Sequence, residues 1–507
     1  MYLTGKNALI NESNRKFKHE TTMKKQSYFL FTILLITFLL SCNNEKKERD
    51  GYKSLDFSYH DVVPADFPKL MIKGFNFPED STTIKTWVQR SNQDSIYLHG
   101  WGLWTGLTSL TDQKVPGYKE PLRVFETWLT PEEMVNEIKN GSKDYKSDTR
   151  SNRANLKKPH QLTHFSSTIE TVNDSIHESA AYSPAASKFA IDNKIFMATT
   201  LYDYAKNKNR KEIPFFPNNA ISIKPVFKLL QTSGGKTSFN MAAWNGTTDK
   251  LIPFPEKDWE SFVTVDIQNK VKKSGSQYHL NDFIHYRFNK EDAHFFNTEF
   301  TEKEKNKLDA KPGDIALLVG MHVATREVTN WTWQTFWWDA NSNNPPAPSS
   351  KAIADMRPDK LKGAARNYAM AVAYYMVNPN EPYVGDTIYG KPNYAFNPYL
   401  EAGFGPEVFN DSLSFVSTSS TDKVPTYVGV RTNCISCHRM ATVNPETILT
   451  TMNKHKTSIT PYVGNSFVSK TDSLFQKQLL LDFLWSIQGN IDTTGVKKYL
   501  DSYRNTK

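Results

Sequence analysis

Cys434-Ile435-Ser436-Cys437-His438 sets two thiols three residues apart and places an imidazole directly after the second. Three chemistries use such a pattern. A dithiol can cycle with a disulfide, and two thiolates can supply half of a zinc cage. Alternatively, two thiols can add to the two vinyl groups of one porphyrin while the neighbouring imidazole ligates its iron. A redox dithiol ordinarily follows a strand in a thioredoxin-like unit, and zinc needs further ligands nearby. The histidine immediately after Cys437 favours the porphyrin chemistry, because one helical turn places both thiols at the vinyl groups and points the imidazole at the metal. The expected cofactor is one covalent haem c, attached at Cys434 and Cys437, with His438 as an axial iron ligand.

The start of the chain bears on the compartment. Lys24 and Lys25 precede an apolar run from Tyr28 to Leu40 that ends Leu39-Leu40-Ser41-Cys42. A basic start, a short apolar stretch and a small residue before the break form the layout of an export signal. The run is shorter than the roughly 20 residues of a membrane-spanning helix. Its ending resembles the lipobox of bacterial lipoproteins, which implies lipidation at Cys42. The 22 residues before Met23 are polar and fit no export signal, so Met23 is the expected start. The three cysteines are then fully assigned, one to lipid and two to haem, with none left for a structural disulfide. Covalent haem attachment outside the cytoplasm agrees with export.

The formal charge is +9, but residues 1–41 hold six Lys or Arg against two Glu, so the exported chain carries a mild +5. No basic block points to nucleic acid. Aromatic residues make up 13% of the chain, which suits a packed globular protein rather than a disordered one.

The elements that must position the motif follow from pattern. Residues 42–54 read as a flexible tether after the 1–41 upstream segment and signal peptide. Thr130 before Pro131-Glu132-Glu133, with Gly141 beyond, predicts a capped helix. Apolar runs at Asn193 to Tyr204, Ala220 to Leu230, Phe262 to Ile267 and Ile315 to Val323 predict strands, so 55–340 reads as a strand-rich domain of unknown role. Trp331, Trp333 and Trp337 share parity and would line one strand face, either as core or as an aromatic wall beside a cofactor. His99-Gly100-Trp101-Gly102-Leu103-Trp104 reads chiefly as packing. Asn341 to Ser350 is the clearest break, and 341–404 reads as a linker with a helical connection over Gly363 to Met376. A further helix is expected over Asp472 to Ile487.

On Cys434, Cys437, His438 and that closing helix, residues 405–507 resemble the cytochrome c family. The resemblance implies a small all-α haem domain behind the strand-rich region, an α+β chain overall, and electron transfer as the function. It also implies a second axial ligand downstream. Met452 is the expected candidate, with Met440, His455, Met370, Met376 or an open position as alternatives. The implied setting is a lipoprotein of the cell envelope, facing the periplasm or the surface and held at the outer membrane, with redox proteins as partners and no nucleic acid. The competing expectation is a haem-dependent oxidoreductase whose large N-terminal domain binds a substrate and passes its electrons to the haem. Gly234-Gly235-Lys236-Thr237 lacks the earlier glycine of a phosphate loop, where Leu230 stands. His160 and His164 have helical spacing but no acidic partner to make a metal site.

Overall fold

The computed structural model describes residues 62–141, 176–246, 259–298, 309–374, 395–401, 434–451 and 475–505, apart from a few single positions within these ranges, together with Arg153, Leu156 and Glu256. They all lie in one compact unit. The chain mixes helices with antiparallel sheets, as an α+β reading requires.

The main sheet holds β1 (Ile176–Glu178), β2 (Ala181–Tyr182), β3 (Ile221–Leu230), β7 (His285–Arg287), β8 (Ile315–Thr325), β9 (Thr332–Trp338) and β10 (Tyr368–Ala373). Its order is β1-β3-β8-β9-β10, with β2 also on β3 and β7 also on β8. The central strands are covered on both faces, which explains their near-continuous apolar sequence. A smaller sheet joins β4 (Ser238–Ala242), β5 (Phe262–Asp266) and β6 (Gln277–His279).

Register decides which side chains share a face. Lys224 lies opposite His322, and His322 lies opposite Thr335, so the three form one row across β3, β8 and β9. Trp333, two residues along β9 from Thr335, points to the same side. Gln334 and Phe336 point to the other side, where Trp101 and Trp104 of the helix Gln93–Thr108 pack on Phe336 at 5.8 and 4.5 Å. That helix fits closely on the sheet because Gly100 has no side chain: a Cβ there would lie 2.7 Å from the Met370 sulfur of β10. The row of Lys224, His322 and Thr335 is covered differently. Asn397, just before the short helix Pro398–Glu401, donates to Thr335 Oγ1 at 2.9 Å and to the Phe336 carbonyl at 2.8 Å. It approaches so closely that a Cβ on Gly320 would lie 2.7 Å from its amide nitrogen.

Several sequence expectations match. The helix Pro131–Asn140 has Thr130 as its reciprocal cap and ends at Gly141 in the left-handed region (φ 66°). The apolar runs beginning near 220, 262 and 315 are β3, β5 and β8.

Others do not. Asn193 to Tyr204 is a turn followed by the helix Ala198–Lys206, whose buried Ala198, Leu201 and Tyr204 recur at helical spacing. The described part of Gly363 to Met376, which ends at Tyr374, is not helical beyond a 3-10 turn at Gly363–Asn367. Tyr368–Ala373 instead forms β10, fully buried and paired with β9, so sheet pairing overrides the helical preference of its Ala and Met residues. The described part of Asp472 to Ile487, from Phe475 onward, is also not one helix. Leu479–Leu480 form β12 against β11 (Thr442–Val443), and the helix Trp485–Gly489 starts only after the turn at Asp482 and Phe483. The run from Leu479 to Trp485 is buried on every side, which suits a strand and turn better than a half-exposed helix. The described residues of 405–507 therefore combine helices with a two-stranded ladder rather than building an all-helical unit, and they share one core with the main sheet. The Pro-rich break at 341–350 packs closely: Trp244 donates to the Ala347 carbonyl at 2.8 Å, and Ser349 is buried.

Among the described residues, no helix is long and apolar enough to cross a membrane. Cys42, the apolar run before it and the tether lie outside the described residues, as do Met376, His455, His160 and His164.

Candidate functional site: a Cys-x-x-Cys-His turn against the sheet

Cys434–His438 form one helical turn, and Cys434, Cys437 and His438 are all partly buried. The turn lies against the Trp333 side of the main sheet. The Trp333 and His438 rings are 4.0 Å apart between centroids and tilted by 39°. Trp333 is itself held by donating to the Asn330 carbonyl at 3.0 Å. On the other side of the turn, the Trp485 indole donates to the Cys437 carbonyl at 3.1 Å.

The imidazole is fixed by the main chain. His438 Nδ1 lies 2.8 Å from the Phe483 carbonyl oxygen. A carbonyl can only accept, so Nδ1 carries the proton and the neutral ring keeps its lone pair on Nε2. This is the tautomer in which histidines bind metals through Nε2, with a backbone oxygen orienting the ring from behind.

The thiols sit in a desolvated and mildly electronegative setting. Burial pushes the Cys437 thiol up to about 12, the negative charge of Glu401 adds to this, and Trp485 and Lys224 oppose it. Burial and Glu401 also push the Cys434 thiol well up. Its Sγ is 3.9 Å from the Ala395 carbonyl. Glu401 accepts from His322 Nε2 at 3.1 Å, and His322 Nδ1 meets Thr335 Oγ1 at 2.8 Å. His322 and Lys224 are partly exposed positions in strands that are otherwise mostly buried, and Lys224 also pairs with Glu178 at 2.8 Å. A row of polar, chargeable groups therefore borders the thiols.

Searched against protein-family models, curated proteins and solved structures, the chain matches none. The likeness to cytochromes c thus rests on the five-residue motif and its surroundings.

The donor set suits a porphyrin. Among the described residues, no three His, Cys, Asp or Glu side chains are grouped to hold one metal ion. A porphyrin needs no such convergence, since its thioethers form at the ring's edge and only the imidazole reaches iron. For the second axial ligand, Met452 lies outside the described residues. Met440 is buried two residues beyond His438. Met370 is directed away from the site: on β10 it pairs with Phe336 of β9, and its sulfur lies against Gly100 on the far face of the sheet.

Sequence reading missed the residues that orient the motif. Phe483 acts through its carbonyl, which no side-chain pattern reveals, and Trp485 stood only as part of an expected helix. His99 does more than pack. Its Nδ1 meets Tyr374 Oη at 2.5 Å and its Nε2 meets Glu327 at 3.1 Å, all buried. Gln334 joins this network by donating to Tyr374 Oη at 2.8 Å.

Proposed function

We propose that this protein carries one covalent c-type haem and transfers electrons through it. The observation that carries the reading is the 2.8 Å hydrogen bond from His438 Nδ1 to the Phe483 carbonyl, made within a helical turn that also bears both thiols. Cys434 and Cys437 would hold the porphyrin as thioethers, and His438 would ligate iron through Nε2. When bound, the haem supplies a one-electron couple whose potential depends on axial ligation, nearby hydrogen bonds and solvent access. The chain's own residues orient the imidazole through Phe483, confine it with Trp333 and anchor the turn through Trp485. Met452 remains the proposed second axial ligand, and the last hundred residues the cytochrome c-like portion of the chain.

We further propose that the protein is an exported lipoprotein, lipidated at Cys42 and held at the cell envelope, at the outer membrane, where redox proteins are its partners. A second reading, a haem-dependent oxidoreductase, draws on the partly exposed Lys224, His322 and Glu401 beside the thiols. Such groups can orient a polar substrate and move its protons.

The test is expression with c-type haem maturation, followed by denaturing electrophoresis stained for haem and by optical spectra with and without carbon monoxide. Haem that stays with the denatured chain, low-spin and indifferent to carbon monoxide, is the expected result. Haem that binds carbon monoxide readily would move the oxidoreductase reading ahead, and absence of covalent haem would sink both.

A further inference from the structure

The carbonyl that holds His438 belongs to an unusual turn. Among the nine described non-glycine residues in the left-handed region, Asp482 (φ 46°) and Phe483 (φ 70°) alone are consecutive, and Trp331 (φ 58°), packed on Phe216 at 5.7 Å, is another. Side chains disfavour this conformation, so the surroundings must impose it, and such residues concentrate where function needs a set geometry. The surroundings here are specific. Asp482 is almost fully buried, and its Oδ2 accepts from Arg326 Nε and from the Phe216 amide, each at 3.1 Å. Arg326, also buried, follows the end of β8. Its side chain donates to the Val328 carbonyl at 3.1 Å, and its amide donates to the Ala220 carbonyl at 3.0 Å. The ion pair thus ties the 482–483 turn to the frame of the main sheet. On either side of the turn, the Leu481 amide bonds to the Ala441 carbonyl at 2.9 Å and the Leu484 amide to the Leu481 carbonyl at 3.0 Å.

We propose that the buried Arg326–Asp482 pair is the positioning device for His438. It holds the left-handed turn that aims the Phe483 carbonyl at Nδ1, and so fixes the ring's tautomer and its strength as a ligand. Neither residue touches the imidazole; both act through the turn. A donor bond from Nδ1 makes the ring more basic, which favours ferric over ferrous iron. Losing the bond therefore raises the potential. The inference rests on the haem reading for its redox consequence but not for the tautomer, which belongs to the protein alone.

Two readouts test it on the full chain carrying Asp482→Asn, Asp482→Gly, Arg326→Met or Arg326→Lys. In haem-free protein labelled with 15N-histidine, the His438 signals are assigned by their loss in His438→Gln. They should report the Nδ1-protonated tautomer in the unmodified protein and a mixture in Asp482→Asn, Asp482→Gly and Arg326→Met. Arg326→Lys keeps the charge and should restore much of the single tautomer. Asp482→Gly relaxes the backbone without the carboxylate, and so separates turn strain from the ion pair. In haem-loaded protein, Asp482→Asn should shift the ferric–ferrous equilibrium roughly tenfold toward ferrous, about 59 mV for one electron.

Variants that lose thermal stability while tautomer and potential stay fixed would overturn the proposal and leave the pair a structural tie. An Nε2-protonated ring in the unmodified protein would overturn it as well. A tautomer shift in a protein that never acquires covalent haem would uphold the positioning role and remove the haem reading. Where the Asp482 variants do not fold, the contrast between Arg326→Lys and Arg326→Met decides.

Discussion

The Trp333 indole lies beside the His438 imidazole, with centroids 4.0 Å apart, and joins a fully buried strand of the sheet to the one histidine of the Cys-x-x-Cys-His turn. Trp333→Ala should cost about 3–5 kcal/mol, as removal of a large buried aromatic does, and should also leave the imidazole free to rotate. Trp333→Phe should cost less and keep the ring confined. Chemical denaturation measures the first effect, and the width and position of the haem absorption bands measure the second. Equal spectra in both variants would mean that Trp333 only fills space.

Cys434 and Cys437 should contribute separable bonds. Cys434→Ala and Cys437→Ala should each retain haem through one thioether on a denaturing gel, and the double variant should lose it to acidified acetone. His438→Ala should keep the attachment but change the spin state of the iron. Haem retained by the double variant would show that attachment lies elsewhere.

Stability should depend on pH in a direction set by buried aspartates. Burial raises Asp292 from 3.8 to about 7, only partly offset by the Asn289 and Arg153 amides, and burial raises Asp339 to about 6. Both folded values exceed the unfolded ones. The stability these groups lend is therefore fully present below the ordinary aspartate range and is lost as pH rises through about 6 and then 7. Glu126 works oppositely. Burial pushes it up, but Arg153 more than cancels this and leaves it below the ordinary value, so its contribution is lost only in stronger acid. The melting temperature should thus fall between about pH 4 and about pH 7, and Asp292→Asn should flatten that slope. A variant curve parallel to the original would refute this account.

Glu327 is the keystone of the polar network behind the sheet. It accepts from the Glu79 amide at 2.6 Å, from His99 at 3.1 Å and from the Thr325 hydroxyl. Glu327→Ala leaves the buried His99 Nε2 without its acceptor, while the Thr325 hydroxyl keeps Thr332 as a partner, and should cost about 1–3 kcal/mol, as leaving a buried donor unsatisfied does. Tyr374→Phe removes one hydroxyl and should cost closer to about 1 kcal/mol. Urea denaturation at neutral pH compares the two, and a Tyr374→Phe cost equal to that of Glu327→Ala would contradict the ranking.

What could be read ahead of the structure depended on how local its cause was. The helix Pro131–Asn140 was legible because its cap, its proline and its closing glycine all lie within a dozen residues. Strands β3, β5 and β8 were legible as apolar runs between turn residues, whereas β9 showed only in the shared parity of Trp333 and Trp337. The Tyr368–Ala373 strand was not, because Ala and Met suit a helix and only pairing with Trp333–Trp338 makes them a strand. Leu479 to Ile487 misled for a related reason: leucines buried on every side carry no period that separates strand from helix. At the site, spacing alone singled out Cys434, Cys437 and His438. Arg326 and Asp482 stand 156 residues apart, a separation at which no pattern in one sequence links them.

The acceptor opposite His438 Nδ1 is an oxygen of the main chain, and this has a consequence for how the protein can vary. Every residue type brings the same carbonyl, so substitutions at position 483 preserve the contact provided the turn keeps its shape. Position 482 has no such freedom, because its side chain supplies the tie. A saturation library should therefore tolerate other large apolar residues at 483, whose side chain is buried, and few of any kind at 482. The geometry of the imidazole would then be guarded by the side chain at 482, while position 483 contributes to it only an atom that every residue type carries.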